Sequence, residues 1–166
     1  MGQVVTLDEA QADCAVRQAA GQQVVVTNGH FDLLHYGHVC YLQQARALGD
    51  LLLVGLNSDC STRQLKGPGR PLVPQEERAA VLAALVCVDL VVVFDAPTAE
   101  TLVAALRPQV YVKGADWEGS VGRGEPPEAA VVRASGGVVR YLPYLPGRST
   151  SALIARIRQL PDLGER

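Results

Sequence analysis

Long hydrophobic runs, paired cysteines and blocks of basic charge are all missing from this 166-residue sequence, and histidine is scarce, at three residues. No apolar run approaches the roughly 20 residues needed to cross a bilayer, so neither a membrane span nor a membrane partner is expected. The opening "MGQVVTLDEAQADC" has no basic flank and no long apolar core, so no signal peptide is read there. Cys14, Cys40, Cys60 and Cys87 are scattered without a C-x-x-C pair, which argues against a zinc ribbon or a thioredoxin-like site. They read as buried thiols of a reducing compartment, and the expected location is the cytoplasm. A formal net charge of −2 without a Lys/Arg block gives no electrostatic reason to expect nucleic acid. Two common phosphate-binding motifs are also absent: G-x-x-x-x-G-K-[ST], and G-x-G-x-x-G after the first strand. There is no internal repeat, low-complexity tract or interdomain linker.

What is present suits one globular domain, with 48% hydrophobic and 19% charged residues. Short valine- and leucine-rich runs recur at 23–28, 51–57, 90–94, 109–113 and 137–142. Most lack the alternation of a half-exposed strand and read as strands covered on both faces. Helical spacing fills the gaps, at about 7–20, 38–48, 74–85, 97–108 (Thr98 as N-cap), 126–137 and 149–160. Strand and helix alternate from residue 23, the pattern of an α/β fold with a parallel sheet. The expectation is a three-layer α/β/α sandwich on a five-stranded parallel sheet, with residues 1–21 as an N-terminal helical extension and 22–158 as the core. Ligands of such sheets bind beyond the carboxyl ends of the strands, so the loops after 28, 57, 113 and 142 are where chemistry is sought.

The first of those loops holds all three histidines, in "NGHFDLLHYGH" (28–38). A lone histidine near a helix start is usually a cap or a packed ring. His35 and His38, spaced H-x-G-H, are different: Gly37 permits a sharp backbone turn and a close approach to a ligand, and the helix start beyond it is a natural seat for phosphate. A metal site is the competing use of histidine, but H-E-x-x-H is absent, and Asp32 and Cys40 add no zinc spacing, so no metal ligand is assigned to the protein.

"NGHFDLLHYGH" resembles the signature of the H-x-G-H nucleotidyltransferases, the cytidylyltransferase-like group. Further matching pieces follow in order: "NSD" (57–59), "LKGPGRP" (65–71), "ERAAVLAALVCVD" (77–89), "KGADW" (113–117) and "PGRSTSALIARI" (146–157). Over about 22–158 the series is most similar to the adenylyltransferase domain of bacterial ADP-heptose synthases. The resemblance implies a Rossmann-like fold and an enzyme that transfers AMP from ATP, as its Mg²⁺ complex, to a heptose 1-phosphate, releasing pyrophosphate and forming ADP-heptose. It also implies a homodimer.

On that resemblance His35, His38 and Lys66, the last in a Gly/Pro-rich loop, are the catalytic candidates. Nucleotide and phosphate contacts fall to Asn28, Gly29, His30, Phe31, Gly37, Arg78, Lys113, Gly114, Asp116, Arg148, Ser149 and Thr150. Asp32, Asn57, Arg70 and Trp117 are candidates for the acceptor. His30 stands where the family commonly has cysteine, and Ala115 and Trp117 depart from its K-G-G-D-Y pattern. Two other readings remain open: a cytidylyltransferase using CTP and glycerol 3-phosphate or a similar alcohol phosphate, and a non-catalytic nucleotide sensor. A class I aminoacyl-tRNA synthetase is set aside, because 166 residues leave no room for tRNA-binding parts and no KMSKS-like sequence occurs.

Overall fold

The valine- and leucine-rich runs become five strands of one parallel sheet. In the computed structural model, residues 1–115, 125–143, 145 and 147–161 are described. In chain order the elements are β1 (Gln3–Val4), α1 (Leu7–Ala19), β2 (Val24–Gly29), α2 (Tyr36–Arg46), β3 (Leu51–Asn57), α3 (Asp59–Lys66), α4 (Gln75–Ala83), β4 (Leu90–Phe94), α5 (Glu100–Leu106), β5 (Val110–Gly114), α6 (Glu128–Ala134), β6 (Val138–Leu142) and α7 (Thr150–Arg158). The strands lie in the order β1-β4-β3-β2-β5-β6. All pair in parallel, with Val26 opposite Leu53 on one side and Tyr111 on the other.

The sheet therefore has six strands rather than the expected five. The sixth is β1, whose two residues are too few to carry a period. It forms because Gln3 and Val5 donate backbone hydrogen bonds to Asp89 and Val91, stitching it to β4. Residues 1–21 are accordingly built into the domain: Ala10 and Cys14 of α1 are buried in the core. A capping box fixes the start of α1. Thr6 accepts from the Glu9 amide and Glu9 from the Thr6 amide, an arrangement worth about 1 kcal/mol.

Side chains alternate across the sheet and give it two apolar layers. Val25, Leu52, Val54 and Val112 face α2 and α4, meeting Leu42, Ala45 and Leu82. Val24, Val26, Leu53 and Tyr111 face α1, α5 and α6, meeting Cys14, Leu102 and Val132. Cys14 is buried, whereas Cys40 and Cys87 are half-buried and Cys60 is exposed, so the four cysteines are not uniformly core residues. Among the described residues no helix is long and apolar enough to cross a membrane.

Two local expectations change. The stretch after Asn57 holds a helix, α3, capped by the Ser58 hydroxyl on the Ser61 amide, and Lys66 is its last residue rather than part of the following loop. The N-cap of α5 is Ala99, not Thr98, whose hydroxyl instead donates to Glu100. The feature that places the site is the return of the chain after β4 to lay β5 against β2. Helices leaving β2 and β5 pass to opposite faces, and a crevice opens at their carboxyl ends.

Candidate active site

That crevice is a cavity of about 910 Å³. Its floor is the tips of β2 and β5, and its rims are the starts of α2, α6 and α7. His35 is the N-cap of α2, in extended conformation with no side-chain capping bond, so its ring is free to turn inward. His38 follows two residues into the helix. The two imidazoles stack with centroids 3.9 Å apart and planes at 22°, and Phe31 holds the far side of His38 at 5.3 Å. Neither Nδ1 has a hydrogen-bond partner although both are buried. Burial, then His35, pushes His38 down to about 4, and burial with the nearby Arg148 lowers His35. Both rings are thus neutral at pH 7, packed face to face and ready to gain a proton or a donor role beside an anion.

Gly37 is needed here for space rather than for a sharp turn. It sits inside α2, where a Cβ would come within 3.0 Å of the His35 ring and 3.1 Å of the Arg148 Cβ. The positive φ of this segment belongs instead to Phe31, at 45°.

Beside the histidine loop, on the same side of the crevice, is the start of α7. The Ser149 hydroxyl caps that helix by accepting from the Ala152 amide at 3.1 Å, and the Thr150 hydroxyl donates to the Leu33 carbonyl. Arg148 and Lys66 are exposed and both line the cavity.

Two charged candidates prove to be struts. Asp32, 7% exposed, accepts from the Leu72 and Val73 amides and from Arg70, and so folds residues 70–73 down beside the histidine loop. Arg78 is 1% exposed and is spent on protein acceptors: the carbonyls of His30, Asn57 and Val73 and the Asp59 carboxylate. It ties the tips of β2 and β3 to α4 from behind the wall, and it does not line the cavity. A cation near a helix start needs anionic or carbonyl partners. Here the protein supplies them, where the sequence suggested a phosphate.

His30 also has a local partner, Thr62, at 3.0 Å. Burial, then Lys66 and Arg78, pushes its pKa down to about 4. Asn57 is held by donating to Ser61 at 2.8 Å. Lys113 and Gly114 line the crevice at the end of β5, while Asp116 and Trp117 lie outside the described residues. Every other candidate named from the sequence, Arg78 excepted, lines this one cavity.

Sequence reasoning missed Tyr41, Thr62, Thr98 and Glu128, all of them cavity-lining. Tyr41 looks like a core aromatic and largely is one: its hydroxyl bonds Thr27 and the Val112 carbonyl. Glu128 follows a proline pair and reads as an ordinary first-turn acid. Only its burial, at 2% exposure, reveals otherwise. Among the described residues no group of three or more His, Cys, Asp or Glu side chains gathers as a metal cluster would.

Residues 26–154, from within β2 to the middle of α7, match the family model described as cytidylyltransferase-like. This chain belongs to the cytidylyltransferase-like family. It is 53% identical over 156 residues to the bifunctional protein HldE of Geobacter sulfurreducens, covering 93% of this chain and 31% of that protein. The corresponding protein of Trichlorobacter lovleyi is 50% identical over 145 residues, 86% of this chain and 28% of its own. The chain thus spans about a third of the length of these relatives. Among solved structures, the lipopolysaccharide core biosynthesis protein of Thermoplasma volcanium superposes with a TM-score of 0.60 at 24% identity, covering 75% of this chain and 98% of that one. That likeness is one of fold, a Rossmann-like parallel α/β architecture.

Proposed function

We propose that the chain is a nucleotidyltransferase that moves AMP from ATP to a heptose 1-phosphate, releasing pyrophosphate and leaving ADP-heptose. The observation that carries the reaction type is the stacked, half-buried, neutral imidazole pair of His35 and His38 beside Arg148 and the α7 start in one crevice. The substrate assignment is supported by the identity to the HldE proteins over most of this chain.

In such a transfer the acceptor phosphate attacks the α-phosphorus and the pyrophosphate leaves on the opposite side. No covalent enzyme intermediate is required, so the protein contributes alignment and charge stabilisation. His35 and His38 would donate to the phosphate oxygens around the α–β bridge, where negative charge accumulates as the bond breaks. Arg148 and the amides opening α7 would hold the outer phosphates. Lys66, on the exposed end of α3, would bring a mobile ammonium to the same oxygens or to the incoming acceptor. Magnesium would enter as part of the ATP substrate, bound mainly by the triphosphate itself.

Pyrophosphate release with Mg²⁺, offering ATP and CTP each with heptose 1-phosphate or glycerol 3-phosphate, tests this reading. Release confined to ATP with heptose 1-phosphate is the expected result. Turnover only with CTP would keep the reaction and overturn the substrates. Silence in all four mixtures, with ATP still bound by calorimetry, would favour a sensor.

A further inference from the structure

The wall of the crevice opposite the histidines is polar, buried and unused by the reaction just described. Asn28 and Lys113 lie on the α5/α6 face of the sheet, by alternation with Val26 and Tyr111. The Asn28 Oδ1 accepts from the Tyr111 hydroxyl at 2.6 Å and from the Lys113 ammonium at 2.7 Å. Beside them Glu128 projects from the start of α6. Its Oε1 accepts from the Ala99 amide at 2.8 Å, which fixes the carboxylate. Its Oε2 faces Lys113 at 3.7 Å, too far for a hydrogen bond, and has no hydrogen-bond partner. The Tyr111 phenol next to it is raised well above its usual range, by burial first and by this carboxylate second.

A carboxylate that is 2% exposed, lines the cavity and has one oxygen met only by the 3.7 Å ion pair to Lys113 leaves hydrogen-bonding capacity unfilled, which is costly in a buried group. Its negative charge disfavours a phosphate at that spot, so the group it suits is an O–H donor. We propose that Glu128 is a specificity-determining residue that accepts a hydrogen bond from a sugar hydroxyl of a substrate through Oε2, with Lys113 and Asn28 holding the adjoining wall. This rests on the transferase reading. In an in-line transfer the phosphates lie along the histidine side, and the nucleoside and acceptor bodies extend away from it. Both carry hydroxyls: the ribose of ATP, and the ring of a sugar phosphate.

The variant Glu128→Gln is suited to the test, because its amide oxygen can still accept from Ala99 while its NH₂ can no longer accept at the Oε2 position. With the wild-type melting temperature retained, KM for one substrate is expected to rise about 10–100-fold, the range for losing one charge-assisted hydrogen bond, with kcat changed less than about threefold. Assays with 2′-deoxy-ATP and 3′-deoxy-ATP separate the sources. If the ribose is read, one deoxy analogue raises KM in the wild type but not in Glu128→Gln. If the acceptor is read, the KM effect falls on the sugar phosphate alone and the analogues behave alike in both proteins. Unchanged KM for both substrates, or a loss confined to kcat, overturns the proposal. Failure of the transferase reading shows separately, as absence of pyrophosphate release from the wild type. In that case calorimetry of ATP with the two proteins decides, with equal affinities counting against Glu128.

Discussion

At the scale of single residues, His35 and His38 carry the strongest expectation. Replacing either with alanine should lower kcat by about 10²–10³, the usual cost of one lost charge-stabilising donor, while the far-ultraviolet circular dichroism stays unchanged. Gly37→Ala should act on the same step indirectly. Its methyl would press on the His35 ring and the Arg148 Cβ, so kcat should fall while the helix persists, as measured by turnover beside thermal melting. Both imidazoles are neutral in the free protein, and a bound triphosphate would favour their charged forms. ATP binding near pH 6 should therefore take up protons, seen as a dependence of the calorimetric enthalpy on the buffer's ionisation heat. Arg78 shows where residue-level reading stops. Its position near a helix start is visible in the sequence, but two of the three carbonyls around it, those of His30 and Asn57, come from distant parts of the chain. Arg78→Ala should cost about 3–5 kcal/mol of stability by urea unfolding, because it strands those acceptors and Asp59 together.

At the scale of elements, the strands β2 to β5 were legible because strands covered on both faces need uninterrupted valine and leucine, and the partly exposed edge strand β6 by its Val138, Val139 and Leu142. Helix starts were legible where a capping residue leads, as with Ser149 before α7. The two-residue β1 was not, since its existence depends on β4. Nor was α3, which carries polar residues over most of its length and is held by Ser58, Asn57 and the Ala96 carbonyl rather than by a deep apolar stripe. The site was legible to the extent that it is a continuous motif: the histidine loop and the α7 start. It was hidden where it is assembled by crossing the sheet, as with Glu128 and Thr98. Asp32 is the hinge between the two cases. Asp32→Ala should release residues 70–73 from the histidine loop, lowering the melting temperature and increasing cleavage within that loop by a protease.

At the scale of the whole molecule, stability should follow the histidines. Unfolded imidazoles take up protons near pH 6.5, but His30 and His38 resist doing so until about 4 in the fold. Stability is then full above about pH 6.5 and falls as pH drops toward 4. The loss should be on the order of 2–4 kcal/mol after allowance for screening, readable from urea midpoints across that window. The same molecule is unevenly anchored. β2 and β3 lie at the middle of the sheet with their side chains fully buried along most of their length, whereas none of the residues of α7 is buried. That helix nonetheless brings Ser149 and Thr150 to the crevice. Limited trypsin digestion should therefore cut first at Arg148, Arg156 or Arg158, and saturating ATP should delay those cuts. The triphosphate would act as the mortar for a wall that the chain alone leaves loosely set.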